Sequence, residues 1–203
     1  MSTIVRHIGQ VHRWAAGVVQ DYPSERPPFA TADDIADAEL ADWADAQRGA
    51  LLDALDRSDG DRTVWAFGQM KPARFWWRRQ TIETSLHAWD ATDAAGTAWP
   101  IPPEVGVEGV EEFYEWILAR SLARNPPTWG EGRTVHLHRT DGDGEWLVTI
   151  GNPPTLAHGH AKGDLAVRGP AADLLRWTTN RRADVELFGD TALAEAWAAN
   201  VAF

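Results

Sequence analysis

A carboxylate and an imidazole four residues apart are the first feature of this sequence that suggests chemistry. Glu83 and His87 lie in a segment, residues 78–90, whose apolar residues recur at helical spacing. Residues four apart share one face of a helix, so the two side chains point the same way. A carboxylate oxygen and an imidazole nitrogen are suitable ligands for zinc or a similar divalent ion. The pair alone is more typical of a hydrogen bond on a helix surface, and a metal site needs a third ligand from elsewhere in the chain.

Two histidines near the amino terminus are the candidates for that third ligand. Residues 2 to about 20 carry apolar side chains three and four apart, which predicts a helix. A helical bundle can bring a histidine of one helix to the glutamate and histidine of another. His7 lies close to the direction of Trp14, beside the apolar stripe, and is the better candidate. His12 lies well round the helix, so we expect it to be a surface residue.

Two charged residues flank the pair on the same predicted helix. Asp90 follows His87 by three residues and could orient its imidazole through a hydrogen bond. Arg79 precedes Glu83 by four residues and could bind an anionic substrate. Solvated surface charge is the alternative interpretation of both residues.

The elements that must hold these residues are helices in the first half of the chain. A second helix is predicted from about residue 33 to residue 57, and a third begins near Pro72, which suits a first-turn position. The proline-rich run at residues 99–103 predicts a domain boundary. We therefore expect a helical metal-binding bundle at residues 1–98 and a second domain at residues 99–203.

After a fourth predicted helix, the apolar pattern of the second half alternates with a period of two. This pattern predicts strands at residues 134–140 and 145–150 on either side of a Gly-rich turn. Further along, it predicts an extended segment at 156–168, a helix from Pro170, a strand at 185–188 and a closing helix. The predicted fold class is therefore α+β, with a helical bundle followed by a small mixed domain.

Two His-x-His pairs, His136 with His138 and His158 with His160, lie in these extended segments. Alternate residues of a strand share one face, so each pair could chelate an ion. Surface histidines on strands are commoner, and we expect these four to be of that kind.

The composition narrows the classes of partner. The net charge of −11 argues against nucleic acid or an anionic membrane surface. No apolar run is long enough to span a bilayer and no signal peptide opens the chain, so we expect a cytoplasmic location. The chain has no cysteine, so any thiol chemistry needs a thiol from a small molecule.

Several segments together resemble the mycothiol-dependent maleylpyruvate isomerase family, which has a DinB-like amino-terminal bundle. Arg6–Trp14 is similar to its second bundle helix, and Glu83–Ala91 to its fourth. Val167–Leu175 and Leu187–Asp190 resemble parts of its smaller carboxy-terminal domain. The resemblance extends over nearly the whole chain and depends on the order of the segments, because no one motif is highly specific.

The resemblance implies a divalent metal, with zinc as the first choice, held by His7, Glu83 and His87. Open positions would take water or the sulfur of mycothiol, a low-molecular-weight thiol. In the isomerase, the thiolate adds to the cis double bond of maleylpyruvate, the bond rotates and the thiol leaves. For this chain the resemblance implies a metal-dependent isomerase or thiol S-transferase that acts on a small molecule. A non-catalytic metal-binding or regulatory module, and a hydrolase using metal-activated water, are the alternatives.

The sequence departs from the family pattern in two places. The family bundle has four helices, and this chain begins at the segment that resembles the second, so about 25–35 residues would be missing. That departure implies a start further upstream, a bundle completed by another copy in a homo-oligomer, or a degenerate protein. Arg176, Thr178, Thr179 and Asn180 stand where the family tends to have apolar residues or glycine, which weakens any inference about substrate contacts there. Arg181 and Arg182 are possible anion-binding residues.

Overall fold

The structure, a computed structural model, describes residues 2–29, 31–32, 34–97 and 99–201. The chain divides into two units, Met1–Trp99 and Pro100–Phe203, and each is described by itself. A helical first part followed by a mixed sheet confirms the fold class predicted from the sequence. None of the helices in the described ranges is both long and apolar enough to cross a membrane.

Three helices and a β-hairpin make up the first unit. In chain order they are α1 (Ser2–Asp21), α2 (Leu40–Arg57), β1 (Thr63–Ala66), β2 (Gln69–Pro72) and α3 (Arg74–Ala94). The helix α1 packs against both α2 and α3. Its apolar residues recur three and four apart, so they form one continuous buried face, which includes Ala15, Val18 and Val19.

Tryptophan rings fix the position of α1 against the start of α3. The ring of Trp14 lies 5.5 Å from that of Trp65 and 5.3 Å from that of Trp76, centroid to centroid, in edge-to-face geometry. The indole nitrogen of Trp76 donates to the carbonyl oxygen of Trp65 at 3.1 Å. Aromatic rings bury large areas and prefer this edge-to-face arrangement, so the cluster sets which turn of α1 faces which turn of α3.

Two elements of the first unit differ from the sequence-based prediction. The helix α2 begins at Leu40, and residue 33, where it was predicted to begin, lies outside the described residues. Turns occupy the segment before it, and Arg6 of α1 donates to the carbonyl oxygen of Ile35 at 2.9 Å. The hairpin of β1 and β2 was missed, because its turn residues Phe67 and Gly68, both with positive φ, lie inside a short apolar run.

The second unit is a five-stranded sheet with helices packed against it. Its elements are α4 (Pro103–Glu112), a π-helical turn (Phe113–Ile117), α5 (Leu118–Arg124), β3 (Thr134–Arg139), β4 (Glu145–Thr149), β5 (Thr155–His158), β6 (Leu165–Gly169), α6 (Ala171–Thr178), β7 (Glu186–Gly189) and α7 (Thr191–Asn200). The strand order is β5-β4-β3-β6-β7. Only β3 and β6 pair in parallel. The segment predicted as one extended stretch at 156–168 is therefore two strands, β5 and β6.

One face of this sheet is the core of the second unit. Val135 and Leu137 of β3 are fully buried beside Leu165 and Val167 of β6. Over this core, α4 and α6 cross closely at Gly106, where an added Cβ atom would lie 2.6 Å from the carbonyl carbon of Ala171. The residues that alternate with the core residues point to the opposite face of the sheet.

Candidate metal centre

The helix α3 alone positions two of the predicted ligands. Glu83 and His87 are one turn apart, and Oε1 of Glu83 lies 3.3 Å from Nε2 of His87. Both side chains are mostly buried, with exposed fractions of 13% and 19%. A glutamate and a histidine four apart on a helix meet in this way because one turn separates them by about 5–6 Å at Cβ.

The helix α1 brings the third predicted ligand to the same point. Nε2 of His7 lies 3.6 Å from Oε1 of Glu83, the oxygen that also faces His87. The rings of His7 and His87 are 5.0 Å apart, centroid to centroid, and nearly perpendicular. One ligand atom from each of the three residues lies within 4.8 Å of the other two. The structure therefore brings His7 together with two side chains that are far from it in the sequence.

The two flanking charged residues both contact members of this group. Asp90 lies with Oδ2 3.0 Å from Nδ1 of His87, so Nε2 of that ring faces Glu83. Arg79 forms an ion pair with Oε2 of Glu83, which leaves Oε1 directed towards the two histidines. Asp90 thus sets the orientation of the His87 ring, and Arg79 that of the Glu83 carboxylate.

The protonation of His7 is shifted towards the form that binds a metal. Desolvation lowers the pKa of His7, and the neighbouring His87 ring lowers it further. A neutral imidazole presents a lone pair, whereas a protonated one cannot coordinate.

His12 is buried, and the prediction that it is a surface residue is wrong. Its side chain lies one and a half turns after His7 on α1, and its Nε2 is 2.9 Å from Oγ1 of Thr84 on α3. Only 3% of its surface is exposed, because the face of α1 that carries it packs against α2 and α3. Among the described residues, Nδ1 of His12 has no hydrogen-bond partner. One signal for its burial was present in the sequence: His12 follows the apolar Val11 and lies one turn before Ala15 and Ala16, which are buried.

A largely apolar groove of about 320 Å³ is lined in part by His87, one of the three predicted ligands. His87 and His12 form part of its wall, together with Ile4 and Ile8 of α1 and Arg48 of α2. Arg48 is paired with Asp45 at 2.7 Å. The groove is thus an apolar space with a few polar groups in its wall, which is the usual character of a small-molecule site.

The remaining candidate residues of the sequence lie in the second unit. Arg181 donates to the carbonyl oxygen of Thr179 at 3.3 Å, and the carbonyl oxygen of Arg182 accepts from Arg176 at 2.9 Å. An anion-binding role for Arg181 and Arg182 stays a prediction. Of the four strand histidines, His136 is buried at 4% exposure, so the expectation that all four lie on the surface is wrong.

Comparison with known proteins matches both units of the chain. The family model of the mycothiol maleylpyruvate isomerase N-terminal domain matches residues 2–92. The model of the MDMPI C-terminal domain matches residues 104–196. None of the curated proteins compared with the chain matches it.

Two solved structures share the fold. The crystal structure of the mycothiol-dependent maleylpyruvate isomerase is 14% identical, with a TM-score of 0.56, over 92% of this chain and 76% of that chain. The crystal structure of a histidine-to-alanine variant of the same isomerase gives the same values, 14% identity, a TM-score of 0.56 and coverage of 92% and 76%. At this identity the similarity establishes the fold alone.

Proposed function

The chain belongs to the mycothiol-dependent maleylpyruvate isomerase family, and from that premise we propose that it is a metal-dependent enzyme that uses mycothiol. The proposed reaction is isomerisation or thiol S-transfer on a small-molecule substrate, with the mycothiol thiolate as the nucleophile. His7, Glu83 and His87 are the proposed metal ligands.

The observation that supports this proposal is the convergence of two Nε2 atoms on one carboxylate oxygen. A four-coordinate zinc ion with bonds of about 2.0–2.1 Å has ligand atoms about 3.3 Å from one another. The separations of 3.3 Å from His87 and 3.6 Å from His7 to Oε1 of Glu83 are close to that value. Two imidazole nitrogens and a carboxylate oxygen are a donor set that suits zinc, and three protein ligands leave a position open.

A divalent ion held by His7, Glu83 and His87 would supply Lewis acidity, which would lower the pKa of a thiol bound to it. The protein's own part is to keep the donor atoms aligned. Asp90 holds Nδ1 of His87 and Arg79 holds Oε2 of Glu83, so neither ligand is free to rotate away. Removing a hydrogen bond that orients a metal ligand typically weakens metal binding 10–100-fold.

The groove beside His87 is the proposed place for the substrate and the body of the thiol. Its walls are mostly apolar side chains of α1, α2 and α3, which suit the uncharged parts of a small molecule. Burial, and then the charge of Arg48, lower the pKa of His12 to about 4, so its ring is neutral at pH 7. His12 contributes to the groove wall, and its buried Nδ1 has no hydrogen-bond partner among the described residues.

The same donor set supports a second candidate, a hydrolase in which a metal-activated water replaces the thiol. Two histidines, one glutamate and an open position also occur in zinc peptidases, where bound water is the nucleophile. The two candidates differ in one measurable respect, because only the first requires the thiol to bind as a thiolate.

Calorimetric titration of the zinc-loaded chain with mycothiol tests the proposal. A thiol with an ordinary pKa of about 8.5 is only a few per cent ionised at pH 7, so binding as a thiolate releases nearly one proton. Titrations in two buffers of different ionisation enthalpy measure that proton directly. We expect about one proton per bound mycothiol, and none for mycothiol with a methylated sulfur. Turnover is followed with maleylpyruvate for isomerisation and an activated aryl chloride for S-transfer.

Three variants connect the titration to the proposed ligands. His7→Ala, Glu83→Gln and His87→Ala should each lose one zinc per chain and the proton release together. His158→Ala, a histidine of the second unit that contacts Glu111, is the control and should change neither. Zinc contents that are equal in all five proteins would exclude this metal centre. Zinc binding without mycothiol-linked proton release would favour the hydrolase.

A further inference from the structure

A second group of potential metal ligands lies in the sheet of the second unit. His136 and His138 alternate along β3, and Glu145 of β4 is the pairing partner of His138. Residues that pair directly across a sheet share a face, so these three side chains stand on the same side. This is the face opposite the buried Val135 and Leu137. The sheet register alone therefore brings two imidazoles to one carboxylate.

A loop brings a third imidazole to the same carboxylate. The chain leaves β5 through Gly159, with a φ of +103°, and the side chain of His160 then lies against Glu145. The loop returns to the sheet at Gly163, where an added Cβ atom would lie 2.9 Å from the backbone nitrogen of His136. Glycine at 163 thus permits the loop to lie directly against β3, and His136 is buried beneath it at 4% exposure.

The Glu145 carboxylate is close to all three imidazoles. Its Oε2 lies 3.2 Å from Nε2 of His136 and 2.8 Å from Nδ1 of His160, and its Oε1 lies 3.0 Å from Nδ1 of His138. Ligand atoms of a tetrahedral zinc site lie about 3.3 Å apart. One ligand atom of each of the four residues is within 4.8 Å of all the others.

We propose that His136, His138, Glu145 and His160 bind one Zn²⁺ ion, in a second metal site that is independent of the proposed catalytic centre. Three imidazole nitrogens and one carboxylate oxygen suit zinc, whereas calcium and magnesium prefer oxygen ligands alone. Four protein ligands complete a tetrahedron, so the site is structural and has no open position for substrate. Its role is to fasten the loop of residues 159–163 to β3 and β4.

The electrostatic surroundings are compatible with a cation at this site. Arg168 of β6 is the pairing partner of His138 in the sheet. Its guanidinium lies 2.7 Å from Glu186 of β7, so its charge is balanced by that carboxylate. Glu145 supplies a negative charge among the three imidazoles.

The remaining strand histidine supplies a matched control. His158 is two residues before His160, but it pairs with Trp146 across the sheet and so stands on the opposite face. Its Nε2 lies 2.9 Å from Oε1 of Glu111, which also accepts from the indole nitrogen of Trp146. His158 and His160 are both exposed, at 64% and 80% of the side chain, so replacing either leaves the core intact.

Zinc binding by the full chain without a polyhistidine tag tests this site. The chain carries His87→Ala, which disables the proposed catalytic centre. Zinc bound by this variant is therefore assigned to the second site, whether or not the proposed catalytic centre exists. Titration against a chromophoric chelator should give one zinc per chain. In this background, His160→Ala and Glu145→Gln should each weaken zinc binding at least tenfold, while His158→Ala should leave the affinity unchanged. Circular dichroism checks that each variant is folded.

X-ray absorption at the zinc edge provides a second, independent readout. We expect four nitrogen or oxygen neighbours at about 2.0–2.1 Å, with the multiple scattering typical of several imidazoles. A six-coordinate, water-rich shell would overturn the proposal, because it indicates adventitious zinc. Equal zinc affinity in the His160→Ala and His158→Ala variants would overturn it as well, and so would the absence of zinc binding in the His87→Ala chain.

Discussion

Acidification should destabilise the first unit through His12. Its ring is buried, its Nε2 is bonded to Thr84, and burial with the charge of Arg48 lowers its pKa from 6.5 to about 4. In the unfolded chain the same histidine takes up a proton near its ordinary pKa of 6.5. Between these two values the unfolded chain binds more protons, so the free energy of unfolding falls as the pH falls from 6.5 to about 4.

The size of the effect follows from the two pKa values. Each pH unit between them corresponds to about 1.4 kcal/mol, which sets an upper limit of about 3.4 kcal/mol. The linkage relation gives a loss of about 2.4 kcal/mol between pH 7 and pH 4.5 if the whole shift is retained. We expect a loss of about 2 kcal/mol, since water can enter through the groove that His12 lines and relieve part of the desolvation.

The charged and titratable groups facing His12 determine how the measurement is arranged. Arg48 of α2, with its partner Asp45, and His87 of α3 line the same groove. The free energy of unfolding is measured by urea denaturation, for the parent chain and for His12→Gln, at steps of half a pH unit. A chelator is present throughout, so that bound metal does not contribute to the stability. The glutamine does not titrate and can still bond to Thr84. The difference between the two curves therefore isolates His12.

We expect the free energy of unfolding of the parent minus that of His12→Gln to be nearly constant above pH 6.5. Below pH 6.5 this difference should fall progressively, because only the parent has His12 to protonate on unfolding. Parallel curves for the two proteins down to pH 4.5 would refute the assignment of a buried, neutral His12. A difference that grows as the pH falls would also refute it, because it would mean that the folded state favours the protonated ring. The imidazole resonances of the folded chain give the His12 pKa directly and should place it well below 6.5.

Two further predictions follow from close contacts in the two units. Asp90→Ala should weaken zinc binding at His87 about 10–100-fold, measured by competition with a chelator, because the ring loses the bond that orients it at 3.0 Å. Asp90→Asn should have a smaller effect, since an amide oxygen can accept the same bond. Gly106→Ala should lower the free energy of unfolding by about 1–3 kcal/mol, because the new Cβ atom would lie 2.6 Å from the backbone of Ala171. Thermal denaturation should then show a midpoint lower by about 2–4 °C per kcal/mol.

Two control variants show whether the changes in zinc affinity and stability are specific to Asp90 and Gly106. Asp56→Ala removes an exposed carboxylate of α2 and should leave zinc affinity unchanged. Gly49→Ala introduces a Cβ atom with nothing within 4 Å, so helix propensity should raise stability by about 0.5–1 kcal/mol. If Gly106→Ala proved as stable as Gly49→Ala, the close crossing of α4 and α6 would be wrong. Zinc affinity equal to the parent in Asp90→Ala would contradict the orienting role of Asp90.

Much of the fold was predictable because it depends on the period of the apolar residues. The helices α1 and α3, the strands β3 and β4 and the change from a helical to a mixed architecture all follow from spacings of three, four and two. The start of α2 was not predictable, because Arg6 donates to the carbonyl oxygen of Ile35 and to the carboxylate of Asp37, in a segment that forms turns. Local propensity contains no information about such a partner 29 residues away.

The relations between the candidate site residues were also predictable only in part. Glu83 and His87 could be placed on one face from the sequence, as could His136 and His138, because helix and strand geometry set those relations over two to four residues. Three relations depend on packing between elements: His7 reaches Glu83, His12 is buried, and Glu145 and His160 lie beside the histidines of β3. Each of these depends on how one element packs against another, through the tryptophan cluster in the first unit and the sheet register in the second. Such packing arises from many contacts at long sequence separation, and no local pattern of residues encodes it.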